Sequence, residues 1–199
     1  MSVDSHPHGD FSGEWWERHY QEHGTGHAEP SPQVVAELTG VPGGTALDAG
    51  CGAGADARWL AARGWKVTAV DVSATVVAAA RSSEQAERVT WMAADLTTWE
   101  PPERYDLVLS QYVHPAVPFT DFVRRLATFV GPRGTLLVAG HDHTHEDPDV
   151  LEGSAIQLEA ITSGLDPADW RIDVAEAREV AVSGQHPRHD VVVVARRTS

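Results

Sequence analysis

The sequence predicts a doubly wound α/β fold built on one parallel sheet, and three observations carry that prediction. In Ala46-Leu47-Asp48-Ala49-Gly50-Cys51-Gly52-Ala53-Gly54, an apolar run ends in an acid and then in three glycines spaced two apart. One helix-length later, Trp65-Lys66-Val67-Thr68-Ala69-Val70-Asp71 again ends in an acid. Strand-length apolar runs then alternate with helix-length segments as far as residue 140, the rhythm of strand–helix–strand crossovers. A strand that stops at an acid–glycine turn, a helix and a second acid-tipped strand make half of a nucleoside-binding crevice.

The elements follow in order. Residues 1–13 are polar. Glu14 to His23 predicts a helix with Trp15, Trp16 and Tyr20 on roughly one side. A breaker-rich link, residues 24–32, leads to a short helix from Pro32 to Leu38, with Ser31 as its cap. After Pro42-Gly43-Gly44, strands are expected at 45–49, 65–71, 88–93, 105–111 and 134–140, with helices at 53–63, 74–82 and 119–130. Gly64 suits the end of the first of these helices, and Pro132-Arg133-Gly134 reads as a tight turn into the fifth strand. A helix near 153–163 precedes strands at 170–182 and 189–195. The link Ser183–Pro187 is too short for a helical crossover, which takes about a dozen residues, so these two strands should be antiparallel neighbours.

Bulk properties narrow the function. The chain has 199 residues, enough for one domain with an N-terminal arm but cramped for two cores. Its net charge of -14 repels phosphate backbones and anionic lipid, so nucleic-acid and membrane partners are not expected and a small-molecule substrate is. No apolar run approaches the ~20 residues of a membrane span, and the opening residues lack the basic and apolar segments of a secretory signal. The single cysteine, Cys51, excludes an internal disulfide and fits a reducing, cytoplasmic setting.

Two nucleoside readings compete at the glycine turn. Gly50-x-Gly52-x-x-Ala55, with Asp71 placed 21 residues after Gly50, satisfies a permissive nicotinamide-dinucleotide fingerprint. Three features separate the readings. Asp48 stands where a dinucleotide fold keeps an apolar strand residue, Asp95 ends the third strand in Ala93-Ala94-Asp95-Leu96, and the sheet closes with an antiparallel hairpin.

Taken together, Asp48-x-Gly50-x-Gly52-x-Gly54, Asp71 and Asp95-Leu96 resemble the class I S-adenosylmethionine-dependent methyltransferases, over about residues 14 to 197. The resemblance implies a Rossmann-like seven-stranded sheet of order 3-2-1-4-5-7-6, strand 7 antiparallel, as residues 41–199. Residues 1–40 would be an arm with lid helices. It implies S-adenosyl-L-methionine as cofactor and S-adenosyl-L-homocysteine as product. Asp48 would help hold the ammonium end, Asp71 the ribose hydroxyls, and Asp95 and Leu96 the adenine, with Val72 against its face. Gly50, Gly52 and Gly54 let backbone approach the ligand, Cys51 fills space within that turn, and Ser110 and Gln111 pass beside the methionine moiety.

Methyl transfer is an in-line displacement, so the protein must align, exclude water and, where needed, take a proton. Acceptor groups are expected at the end of the fourth strand, where Tyr112 shapes the pocket and His114 could act as a base, and after the fifth strand, where His141 sits at the tip. In the run Gly140–Asp147 an extended chain would put His141, His143 and His145 on one face, but no distant cysteine or helical His pair supports a closed site, so no metal is expected. Trp15, Trp16 and Tyr20, with Trp59-Leu60-Ala61-Ala62-Arg63-Gly64-Trp65, look like the tellurite-resistance and thiopurine methyltransferase branch. That resemblance implies an aromatic lid over the cofactor and a small, soft acceptor: a thiol, a chalcogen oxyanion or a heteroaromatic sulfur. The alternatives are an NAD(P)-dependent oxidoreductase and a non-catalytic S-adenosylmethionine-binding module. Monomer and homodimer both remain open.

Overall fold

The computed structural model describes residues 11–24, 29–83, 86–142, 156–180 and 188–199. Seven strands form one sheet: β1 Thr45–Ala49, β2 Lys66–Asp71, β3 Val89–Ala93, β4 Tyr105–Gln111, β5 Val130–His141, β6 Trp170–Val180 and β7 Arg188–Arg197. Their order is β3-β2-β1-β4-β5-β7-β6, as the family resemblance implies. The first five pair in parallel, while β7 runs antiparallel to both β5 and β6. The order reverses between β1 and β4, and in such sheets the crevice outside the strands' carboxyl ends at that point takes the ligand.

Seven helices accompany the strands among the described residues: α1 Gly13–His23, α2 Pro32–Leu38, α3 Ala55–Ala61, α4 Ala74–Arg81, α5 Phe119–Phe129 and α6 Leu158–Thr162, with a short 3-10 turn at Ala86–Arg88. Side chains alternate across a strand, and two cores result. Ala46, Ala69, Leu107, Leu109, Leu137, Ala139 and Val192 pack with α2, α3 and α4 on one face. Leu47, Val70, Val108, Leu136, Val138 and Val193 pack with α5 and α6 on the other. The same alternation puts Asp48, Asp71, Gln111, His141 and Asp190 on the α2–α4 face, each at the end of its strand nearest the crevice.

Local departures from the expected boundaries have physical causes. α3 begins at Ala55 rather than 53, because Gly52 and Gly54 take φ of 48° and 77°, outside the right-handed helix. β5 begins directly after α5 at Val130 instead of after the 132–134 turn. That turn survives as a bulge, where pairing jumps from Tyr105↔Val130 to Leu107↔Thr135 and Arg133 takes φ 61°. α6 covers only Leu158–Thr162, and the start of the helix expected at 153–163 lies outside the described residues, as does the link 183–187.

The arm is anchored by particular bonds. Ser12 caps α1, its Oγ accepting from the Trp15 amide at 3.3 Å. Ser73 caps α4 by accepting from the Val76 amide at 3.2 Å, and its own hydroxyl donates to Glu17 of α1 at 2.6 Å. Among the described residues no helix is long and apolar enough to cross a membrane.

Candidate functional site

The turn after β1 is built by two amides converging on one carbonyl: Gly50 and Cys51 donate to the Val70 oxygen at 2.8 and 3.0 Å. Gly54 then donates to the Cys51 oxygen at 2.8 Å. A Cβ at Gly50 would overlap the Val113 side chain, and one at Gly54 the six-membered ring of Trp91. At Gly52 the nearest atom to a Cβ would be the Tyr20 hydroxyl, 3.6 Å away, so this glycine faces the underside of α1 across the site.

Asp71 is buried, and its oxygens accept from the Gly52 amide at 2.9 Å and the Ser73 amide at 3.0 Å. Burial raises its carboxyl above the usual range, partly offset by these amides. Asp48 is 2% exposed, and its Oδ2 has no hydrogen-bond partner. Burial, then the nearby Asp56 and Asp71 charges, push its carboxyl well up. Asp56 accepts from the Ser31 amide at 2.7 Å, and burial pushes its carboxyl up to about 6. Three neighbouring carboxyls, one of them with a buried oxygen that lacks a donor, favour a cationic ligand group here. Burial likewise raises the Cys51 thiol, which disfavours the thiolate and leaves the residue as packing.

A cavity of about 830 Å³ opens above this turn, a volume within the range of small-ligand sites, about 300–1,000 Å³. Asp48, Gly50, Cys51, Gly52, Gly54, Asp71, Val72, Asp95 and Leu96 line one end. Gln111, Tyr112, His114 and His141 line the other, and Phe11, Trp16 and Tyr20 form the roof. The roof is an aromatic stack: Trp16 lies nearly parallel to the His114 ring with centroids 6.1 Å apart, Phe11 stands 5.2 Å from that ring, and Trp16 Nε1 donates to the His114 carbonyl at 3.2 Å.

Comparison with known proteins agrees with this architecture. A methyltransferase-domain family model matches residues 46–134, the stretch from the glycine turn to the start of β5. Over that stretch the chain is similar to methyltransferase domains. It is 27% identical over 154 residues to trans-aconitate 2-methyltransferase of Sinorhizobium medicae, covering 76% of this chain but only 59% of that protein. Against thiocyanate methyltransferase 1 of Arabidopsis thaliana it is 33% identical over 101 residues, 47% of this chain and 44% of the relative. The chain thus spans about half the length of these curated relatives. Its fold matches the N-methyltransferase NodS from Bradyrhizobium japonicum WM9, solved in complex with S-adenosyl-L-homocysteine, at a TM-score of 0.65 and 17% identity, over 96% of this chain and 90% of that one.

Around this cavity, two of the expected site residues stand elsewhere. Ser110 is not on the cavity wall: it alternates with Leu109 and Gln111, so its hydroxyl is buried on the α5–α6 side without a bond. Trp15 is not in the roof either, because it precedes Trp16 by one residue and points about 100° away around the helix. It stacks on His19 instead, with centroids 5.0 Å apart. Asp95 does line the cavity, but its Oδ1 also accepts from the Thr97 amide and hydroxyl at 2.8 and 2.7 Å, holding the turn after β3. His143 and His145 lie outside the described residues.

Four residues around the site, Ser31, Asp56, Glu17 and Asp190, carry no ligand-binding signal in the sequence. Ser31 donates its hydroxyl to Gln111 Oε1 at 3.1 Å while its amide serves Asp56, tying the start of α2 to β4 and α3. Glu17 accepts from the Ser73 hydroxyl at 2.6 Å, the Thr75 amide at 3.2 Å and the Thr75 hydroxyl, which clamps α1 to the start of α4. Those bonds hold its carboxyl down at about 2. The fourth is Asp190, at the start of β7, whose Oδ1 lies 3.2 Å from Nδ1 of His141.

Proposed function

We propose that this protein transfers a methyl group from S-adenosyl-L-methionine to a small-molecule acceptor and releases S-adenosyl-L-homocysteine. The observation that carries the reading is Asp48: a carboxylate oxygen buried beside the glycine turn, lining the cavity, with no protein donor. An ammonium group supplies what that atom lacks. The turn's other features fit the same molecule. Asp71 has carboxylate lone pairs beyond those taken by the two amides, enough for a ribose diol. Val72 and Leu96 offer apolar surface to an adenine, with Asp95 at its edge.

When bound, the cofactor supplies a methyl carbon already activated by a sulfonium. The chain's own task is to hold, align and dehydrate. Trp16 and Tyr20 in the roof offer ring faces to a positive centre, worth roughly 0.5–2 kcal/mol. Residues 1–40 would serve as this lid over a body of residues 41–199. The ring of His114, stacked under the lid, would act as wall rather than as base.

The acceptor is a small molecule of the soft-nucleophile class, a thiol first, with chalcogen oxyanions and heteroaromatic sulfur beside it. The similarity to thiocyanate methyltransferase 1 supports that choice, as does an aromatic cavity that suits polarisable sulfur. A net charge of -14 argues against nucleic-acid substrates. The protein would work in the cytoplasm, as a monomer or homodimer.

Calorimetry tests the cofactor directly. S-adenosylhomocysteine should bind and NADH should not; the reverse pattern would replace this reading with a nicotinamide-dependent oxidoreductase. A panel of thiols, phenols, amines and chalcogen oxyanions then tests transfer. Binding without turnover across that panel would favour a non-catalytic binding module.

A further inference from the structure

Asp190 is fully buried, yet nothing near it in the chain marks it as functional. It sits opposite His141 in the β5–β7 ladder, because antiparallel β7 starts at the edge where parallel β5 ends. Its Oδ2 accepts the Tyr112 hydroxyl at 2.7 Å and Gln33 Nε2 at 3.3 Å, and its Oδ1 meets His141 Nδ1 at 3.2 Å. Tyr112 holds φ 56°, a left-handed conformation costly for a non-glycine residue, and its ring lies 4.7 Å from that of His141. Both rings line the cavity, at its β4–β5 side.

An ionised Asp190 can only accept, and against it the facing ring nitrogen is the one that carries the proton. A neutral histidine held this way keeps its lone pair on Nε2, and a buried carboxylate stabilises the imidazolium formed when that nitrogen is protonated. Gln33 is in turn held by Arg178 Nη1 at 3.2 Å, and Arg178 by Glu37 at 2.6 Å, so the carboxylate rests on a braced network between α2 and β6.

We infer that Asp190 is a positioning residue that fixes His141 as general base of the acceptor subsite, so that the acceptor arrives protonated, as a thiol. This rests on the methyltransferase reading above. The acceptor's S–H proton passes to Nε2 of His141. The sulfur's electron pair forms the bond to the methyl carbon, and the electrons of the broken carbon–sulfonium bond stay on the donor's sulfur. His141 then returns its proton to solvent. An acceptor that is already an anion, such as thiocyanate or a chalcogen oxyanion, needs no such base.

The test is nitrogen-15 NMR of the histidine-labelled full chain saturated with S-adenosylhomocysteine, with His141→Gln identifying the resonance. The Nδ1–H tautomer is expected for His141 in the wild type, with loss of that preference in Asp190→Asn. The Nε2–H tautomer for His141 in the wild type would overturn the inference. In turnover with a thiol of the panel, His141→Gln should lower kcat about 10²–10⁴-fold with cofactor affinity unchanged; equal kcat would also overturn it. Failure of S-adenosylhomocysteine to bind would instead sink the methyltransferase reading, so the two failures are distinguishable.

Discussion

Substituting Gly54 by alanine should damage the fold, while the same change at Gly52 should chiefly damage the site. Both glycines have positive φ, 77° and 48°, where an L-residue costs about 1–2 kcal/mol. Alanine recovers about 0.4–1 kcal/mol by restricting the unfolded chain. At Gly52 little else changes, since the nearest atom to the new methyl is 3.6 Å away, ordinary carbon contact range. The net cost there is about 0–1.5 kcal/mol. At Gly54 the methyl overlaps the Trp91 ring, which cannot swing aside: it is buried, and its Nε1 donates to the Ala86 carbonyl at 2.8 Å. Overpacking of this kind adds about 1–3 kcal/mol, for a total near 1–4.5 kcal/mol. Urea unfolding of wild type and both variants reads the difference, as a midpoint shift at constant slope. Trp91→Leu in the Gly54→Ala background should recover part of the loss. Equal midpoints for the two single variants would refute the reasoning, because they share the dihedral penalty and differ only in the clash.

Other perturbations follow from the same geometry. Asp71→Ala should weaken S-adenosylhomocysteine binding by about 1–3 kcal/mol, roughly 5- to 150-fold by calorimetry; unchanged affinity would move the ribose seat elsewhere. Glu17→Gln should loosen α1, seen as faster amide exchange over residues 13–23 at pH 7. In the wild type Glu17's lowered carboxyl gives a clamp that is complete above about pH 4.5 and lost as pH falls toward about 2. Protection of α1 that ignores both changes would exclude the clamp. Asp56, raised from 3.8 to about 6, favours the fold when protonated: that contribution is full below pH 3.8 and gone above about 6. Asp56→Asn should therefore stabilise the ligand-free chain at pH 8, by at most about 3 kcal/mol, and leave it unchanged at pH 4. A variant less stable than wild type at pH 8 would contradict this.

Much of the nucleoside end was legible because it is local. Asp48, Gly50, Gly52 and Gly54 lie within seven residues, and the dihedrals that demand glycine arise inside that turn. Strand alternation even held the correction for Ser110, since Leu109 and Gln111 face the cavity side and their neighbour must face away. Helical angle held the one for Trp15. The bulge at Gly131–Gly134 was not legible as strand, because its pairing depends on what β4 offers at Tyr105 and Leu107.

By itself the sequence determined the strand–helix alternation and the acid-tipped glycine turn, through periodicities and breakers that act over a few residues, while the sheet order came from the family resemblance. The tertiary structure alone decided which distant groups complete the site. Glu17 meets Ser73 across 56 positions, Ser31 meets Gln111 across 80, and Asp190 meets His141 across 49. Such pairs have no spacing rule, because a hydrogen bond between strands or across a lid depends on register and packing. Neither is fixed until the sheet has closed.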